Sequence, residues 1–243
     1  MFTLITTYYE EPELLERFLT KHRDSSYNVI VVDDGSVTYP ALDTFNRLHV
    51  KDISLYRVEE DLGFNSHGAR NLAMQHTTTK WNMLVDIDYD IQHIEAMYDL
   101  LDDLDEQYPH FFPVSYYNGT TPSRVSINDF FVTADTFWEA GGYDTEFIGM
   151  HYGDRMMINR MKKKRNPSVL FDGAWLKELR SQRNDMIVIE SDIPMEATSA
   201  KEKKMVYSTA QEELVKSRTI DVLRRWLRKE MCDPVPFKWI KQI

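Results

Sequence analysis

The alternation of strand-like and helix-like patterns over the first 90 residues is the feature that most constrains the fold. Four apolar and β-branched runs have the length of buried strands: 2–7, 27–32, 53–58 and 81–85. Apolar residues at helical spacing occupy the segments between them: 12–19, 40–49 and 66–75. This order with short links predicts right-handed crossovers, and therefore an α/β fold with a mainly parallel central sheet flanked by helices.

Polar clusters follow three of these four strands, at the point where each strand ends. The clusters are Thr6-Thr7-Tyr8, Asp33-Asp34 and Asp86-Ile87-Asp88. Because parallel strands end on the same edge of a sheet, we expect these side chains to lie near one another. Ligands of such sheets bind beyond the carboxyl ends of the strands, so the pattern predicts a binding site at that edge.

The alternation ends near residue 110, which suggests a different second half. Strands are predicted at 111–117 and 125–133, as an antiparallel pair, and helices at 91–106, 135–140, 154–164 and 196–231. We therefore predict an α/β domain over 1–165 and a mostly helical extension over 166–243, packed on it.

Composition excludes several classes of protein. With 42% hydrophobic residues and a net charge of −10, the chain has a globular composition, and its acidity argues against a general nucleic-acid binder. The single cysteine, Cys232, excludes an intramolecular disulfide and a metal site built from cysteines. No apolar run approaches the roughly 20 residues of a membrane span, and the N-terminus lacks the basic residues of a secretory signal. We expect a soluble, cytoplasmic protein.

The pair Asp86 and Asp88 is the sharpest chemical feature. Two carboxylates one residue apart at a strand end can aim oxygens at one Mg²⁺ or Mn²⁺ ion, although a solvated turn is the alternative. Two interpretations are open for Asp34 as well. It either forms a turn, or it accepts a hydrogen bond from a nucleobase. Arg70 follows Gly63 and Gly68 and could reach a phosphate, or it could lie on the surface of a helix start.

Taken in order, these segments resemble family 2 glycosyltransferases, which have the GT-A fold, a Rossmann-like arrangement. The matching segments are 5–10, 31–36, 68–71, 84–88, 131–144 and 149–154. The resemblance covers roughly residues 2–161 and implies a nucleotide-diphospho-sugar donor with Mn²⁺ or Mg²⁺ as cofactor. UDP-sugars are the donors that this family favours.

The resemblance also implies roles for single residues. Donor binding falls to Thr6, Tyr8, Glu10, Asp34, Arg70 and Asp86. Asp86 and Asp88 form the Asp-x-Asp pair that holds the metal, with Asp88 the more direct ligand. Asp154 matches the general base of members that invert the anomeric configuration. His151, three residues earlier, is a candidate third metal ligand, an acceptor contact or a plain loop histidine.

Departures from the family pattern leave alternatives open. Gly153 stands where the family usually has glutamate, which is the one support for an inactive nucleotide-binding scaffold. A sugar nucleotidyltransferase would want a Gly-rich basic loop after the first strand, and Thr7 to Glu11 does not supply it.

The acceptor is not readable from the sequence. A glycan, a lipid-linked sugar, a protein and a modified DNA base all remain open. Residues 216–229 form a basic amphipathic pattern that would either contact an anionic surface, such as a membrane or nucleic acid, or pack on the domain. Contact with a membrane would make the protein peripheral to it.

Overall fold

The fold was taken from a computed structural model that describes residues 1–91, 94, 97–116, 124–148, 153–164, 189–191 and 233–243. Its strands are β1 Phe2–Tyr8, β2 Asn28–Asp33, β3 Ser54–Val58, β4 Trp81–Asp86, β5 Tyr89–Ile91, β6 His110–Tyr116, β7 Arg124–Thr133, β8 Ile189–Ser191 and β9 Trp239–Lys241. Its helices are α1 Pro12–His22, α2 Ala41–Leu48, α3 Ser66–Gln75, α4 Met97–Leu100, α5 Ala134–Glu139 and α6 Gly153–Lys164, with a 3-10 turn at Thr145–Phe147. Within these ranges no helix combines the length and the apolar character needed to cross a membrane.

One mixed sheet carries the fold, in the order β5-β8-β6-β7-β4-β1-β2-β3-β9. Its centre is parallel, because β1 pairs with both β2 and β4, and β2 pairs with β3. This confirms the α/β prediction for the first 90 residues. The antiparallel pairing of β6 with β7 is confirmed too, and β7 joins β4 in the same antiparallel sense.

Both faces of the parallel centre are buried, which explains why its strands are continuously apolar. In β2, Val29 and Val31 face one cluster while Ile30 and Val32 face the other. Helices α1 and α2 cover the first cluster with side chains that include Leu15 and Phe45. Helices α3, α5 and α6 cover the second, with side chains that include Leu72, Phe137 and Met157.

The helix predicted over 91–106 is confirmed only in part. Among the described residues of that range Met97–Leu100 is α-helical and Ile94 lies in a 3-10 turn. Tyr89–Ile91 forms β5, which pairs with β8, so a strand takes the first residue of the predicted helix. The apolar positions were nevertheless correct, because Ile94, Leu101 and Leu104 pack on the first core cluster.

The end of the chain returns to the sheet. β9 pairs antiparallel with β3, with Arg57 opposite Ile240, and so forms one edge of the sheet. This strand was not predicted from the sequence. The helix predicted over 196–231 and its basic face lie outside the described residues, so the extension over 166–243 stays a prediction for most of its length.

Gly35 is a position where the fold should not tolerate a side chain. Its φ is +78°, and a Cβ there would lie 2.4 Å from the Glu60 carbonyl oxygen. We expect Gly35→Ala to lower the free energy of unfolding by about 2–3 kcal/mol, measured by urea denaturation. Gly63→Ala is the matched control, because its φ is +73° but no atom lies within 4 Å of the added Cβ. Its cost should be about 1 kcal/mol, and equal losses in both variants would contradict the steric explanation.

Candidate active site

The polar strand ends do meet at one edge of the sheet. In the parallel register Tyr8 lies opposite Asp33, and Thr7 lies opposite Asp86. The carboxyl ends of β1, β2 and β4 therefore place their polar residues side by side, as the sequence predicted.

Asp33 stabilises the turn that follows β2. Its side chain is fully buried and accepts hydrogen bonds from the backbone N–H groups of Ser36, at 2.8 Å, and Ala41, at 2.9 Å. Burial raises the pKa of Asp33, and this effect outweighs the two backbone bonds. Asp33 thus joins the end of β2 to the first residue of α2, a structural role.

Asp34 links the end of β2 to the start of α3. Its carboxylate accepts two hydrogen bonds from Asn65, one from the backbone N–H at 3.1 Å and one from the side-chain amide at 3.0 Å. The side chain is buried. Contact between Asp34 and a nucleobase therefore stays a prediction.

Thr6 and Tyr8, the two residues of β1 that are predicted to bind the donor, form hydrogen bonds within the protein. The Thr6 hydroxyl donates to the Val85 carbonyl at 3.1 Å, and the Tyr8 hydroxyl donates to the Tyr39 carbonyl at 2.6 Å. Both side chains are buried, and burial together with nearby Asp33 raises the pKa of Tyr8. In this structure Thr6 and Tyr8 form hydrogen bonds within the protein at the carboxyl edge of the sheet. Their direct contact with a nucleotide-sugar donor stays a prediction.

Glu10 holds the loop after Asp33-Asp34-Gly35. It has a left-handed φ of 55°, and its carboxylate accepts hydrogen bonds from the backbone N–H groups of residues 37–39. Three backbone N–H groups that donate to one carboxylate fix this loop beside the predicted binding site for the nucleotide sugar. A donor-binding role for Glu10 would act through this loop and stays a prediction.

Arg70 is the centre of the site, although it is almost completely buried. Its Nη2 lies 2.6 Å from Asp86 Oδ1, and its Nη1 donates to the Asn128 carbonyl at 2.8 Å and the Tyr143 hydroxyl at 3.1 Å. Nη1 also lies 3.6 Å from Asp154 Oδ1. Burial lowers the pKa of Arg70, but Tyr143 and the neighbouring carboxylates outweigh it and the pKa is raised.

Arg70 therefore joins the predicted metal side, Asp86, to the predicted base, Asp154. The guanidinium makes its contacts within the protein in this structure. The direct contact with a diphosphate that the resemblance implies for Arg70 stays a prediction.

Asp154, at the start of α6, is held from two sides. His67 Nε2 lies 3.2 Å from Asp154 Oδ2, and the Asp154 side chain is 17% exposed. Burial raises the pKa of Asp154, but His67, Arg70 and Tyr143 outweigh burial and hold the pKa below its usual value. The carboxylate is thus kept ionised, as a general base requires.

The oxygen donors of Asp86 and Asp88 are of the type that Mg²⁺ and Mn²⁺ prefer, so the chemistry of the pair fits such an ion. Asp86 is nevertheless engaged, because Oδ1 contacts Arg70 and Oδ2 accepts from the Asn128 amide at 3.1 Å. Among the described residues no group of three or more His, Cys, Asp and Glu is arranged to hold a metal. His151 lies outside the described residues, so metal binding by these three side chains stays a prediction.

Sequence reasoning missed four contributors to the site: His67, Asn128, Asp129 and Tyr143. His67 lies three residues before Arg70, so the two share a helix face, and that spacing was a usable signal. Asp129 accepts a hydrogen bond from the Asp86 backbone N–H at 2.8 Å, and Tyr143 contacts Arg70. Their positions in the sequence carry no comparable signal, because tertiary packing brings them to the edge.

Comparison with solved structures supports the fold. The chain matches S. aureus TarS with a TM-score of 0.51 at 16% identity, covering 79% of this chain and 35% of that one. It matches TarS 1–349 in complex with UDP-GlcNAc with a TM-score of 0.58 at 14% identity, covering 85% and 62%. It matches the mannosyltransferase PcManGT from Pyrobaculum calidifontis, in complex with GDP-Man and Mn²⁺, with a TM-score of 0.53 at 16% identity, covering 81% and 58%.

The chain spans less than two thirds of the length of each of these structures. Among curated proteins, none matches the chain by sequence. The model of the family described as "Glycosyl transferase family 2" matches residues 3–165, which include the parallel centre of the sheet, Arg70, Asp86 and Asp154. The chain belongs to glycosyl transferase family 2.

Proposed function

We propose that this protein transfers a sugar from a nucleotide-diphosphate donor, a UDP-sugar by preference, to an acceptor hydroxyl with inversion. The observation that carries the proposal is the ionised Asp154, joined through buried Arg70 to Asp86 at the carboxyl edge of the sheet. UDP-GlcNAc in TarS and GDP-Man with Mn²⁺ in PcManGT support a nucleotide-sugar donor and a divalent ion.

The chemistry of transfer fits these residues. The acceptor oxygen forms a bond to the anomeric carbon as the bond to the diphosphate breaks, and the acceptor proton passes to Asp154. A Mg²⁺ or Mn²⁺ ion held by Asp88 and Asp86 would neutralise charge on the departing diphosphate. Asp86 and Asp154 lie beside the two terminal nitrogens of the Arg70 guanidinium, so the two carboxylates are placed before the donor arrives.

A binding and turnover experiment tests this proposal. We expect UDP-GlcNAc, UDP-glucose or GDP-Man with Mn²⁺ or Mg²⁺ to raise Tm by about 5–10 °C at 100-fold excess over Kd. Donor hydrolysis or transfer should accompany it, whereas an inactive scaffold would bind without turnover. If no nucleotide-diphosphate sugar raises Tm with metal present, the proposal is wrong.

In the same assay, Asp88→Ala distinguishes the part of the Tm increase that depends on the metal from the part that depends on the nucleotide sugar. The variant should lose the metal-dependent part of the Tm increase and reduce turnover about 100-fold or more. Asp52→Ala is the matched control, because Asp52 is exposed and precedes β3, at the opposite edge of the parallel strands. A similar loss in both variants would contradict the assignment of Asp88.

A further inference from the structure

His67 and Gly153 compete for one space. The His67 side chain, in the first turn of α3, is 1% exposed. A Cβ built on Gly153 would lie 2.6 Å from three atoms of the imidazole ring, closer than such atoms approach in real structures. Any side chain at position 153 would therefore have to displace the His67 ring. This gives a physical reason for the glycine that stands where the family usually has glutamate.

The ring of His67 is held by packing on its faces and edges. It contacts Phe64, with ring centroids 5.4 Å apart, and Tyr143, with centroids 5.1 Å apart. Its Nε2 lies 3.2 Å from Asp154 Oδ2, while its Nδ1 is buried without a hydrogen-bond partner. An ionised carboxylate can only accept a hydrogen bond, so the Nε2 that faces Asp154 carries a hydrogen and donates it.

We propose that His67 is the positioning residue that orients Asp154 as acceptor base, in the space left by Gly153. This inference rests on the proposed function. The bond from Nε2 fixes Oδ2 of the carboxylate, and Arg70 lies 3.6 Å from Oδ1, so rotation of the carboxylate is restricted from both sides. His67 acts through Asp154 and does not itself take the acceptor proton.

Two substitutions at position 67 separate the hydrogen bond from the ring's volume. Gln keeps an N–H donor, whereas Phe keeps a ring and loses the donor. We expect His67→Phe to lower kcat about 100-fold with KM for the donor unchanged, and His67→Gln to stay within about tenfold of wild type. His22→Phe is the matched control, because His22 is equally buried but lies in α1, bonded to Tyr27. Wild-type kcat in His67→Phe, or equal losses in Phe and Gln variants, would overturn the proposal.

A stability cycle tests the pairing without any need for activity. Gly153→Ala should lower Tm by several degrees in the wild-type background, because the new Cβ meets the imidazole ring. In a His67→Ala background the same change should be neutral or raise Tm, since alanine favours helix and the space is open. Equal falls in the two backgrounds would overturn the pairing. If the wild-type protein shows no transfer but the effect of Gly153→Ala on Tm still depends on His67, the proposed function is wrong and the pairing of the two residues is not.

Discussion

Asp154→Asn should abolish sugar transfer while leaving donor binding intact. The amide cannot accept the acceptor proton, and general-base catalysis contributes about 10²–10⁴-fold to such reactions. We therefore expect kcat to fall at least 100-fold, measured by product formation, with the donor-induced Tm increase retained. Retained transfer would remove Asp154 from the role of base and with it the argument for inversion.

Asp144→Asn is the matched control for this substitution. Asp144 is also buried in the same part of the chain, but the guanidinium that lies 4.0 Å from its carboxylate is that of Arg160. We expect Asp144→Asn to lower the stability of the fold but to leave sugar transfer by the folded protein unchanged. Loss of transfer in both variants at equal folded fraction would mean that the region, and not the base, is responsible.

The lowered pKa of Asp154 predicts a pH dependence of both activity and stability. A carboxylate whose folded pKa is depressed remains ionised down to acidic pH, so transfer should show no loss from Asp154 between pH 8 and about 5. The same shift stabilises the folded state above the ordinary aspartate pKa, and this contribution is lost as pH falls through the lowered folded pKa. The Tm difference between wild type and Asp154→Asn should therefore shrink below about pH 4. A Tm difference between the two proteins that is lost with a midpoint near pH 7 would contradict this.

Arg70→Met should be the most destabilising substitution in the site. The Arg70 side chain is 2% exposed, whereas Asp86 is 31% and Asp154 is 17% exposed. Removing the guanidinium leaves two carboxylates together without their shared cation. Loss of one partner of a buried ion pair costs about 3–5 kcal/mol, and the partial exposure of Asp86 favours the lower end. Urea denaturation measures this loss.

Arg47→Met is the control, because Arg47 pairs with Glu16 at 2.9 Å on the surface, where water screens the pair and its contribution to stability is small. A second variant, Arg70→Met with Asp86→Asn, should regain part of the lost stability, since one uncompensated charge is removed. If Arg70→Met and Arg47→Met lose equal stability, the buried network is not what holds the edge together.

The sequence predicted the centre of the fold because buried parallel strands have an unmistakable pattern. Val29 to Val32 are apolar at every position, since helices cover both faces of the sheet. The polar residues that stop these strands, Asp34 and Asp86 among them, could be assigned to one edge from topology alone. Local pattern predicted too long a helix at 91–106, where Ile91 belongs to β5 and Met97–Leu100 is the α-helix among the described residues.

The contacts between the side chains of the site could not be predicted from local sequence pattern. Arg70 contacts Asn128 and Tyr143, which follow it by 58 and 73 residues, and Asn71 contacts Pro234 from 163 residues away. The sequence indicated that Arg70 could reach a phosphate, and that contact stays a prediction. The structure adds that its buried guanidinium pairs with Asp86 and lies near Asp154, because a buried cation needs charged partners.

Short-range apolar periodicity and the order of motifs were enough to predict the parallel α/β centre, the edge at which polar residues collect, and the family to which the chain belongs. Three features emerge from the folded structure alone: Arg70 joins Asp86 to Asp154, His67 occupies the space beside Gly153, and the end of the chain forms β9. Each of these depends on packing between segments far apart in the chain, and no local pattern encodes which buried charge or ring will meet which partner.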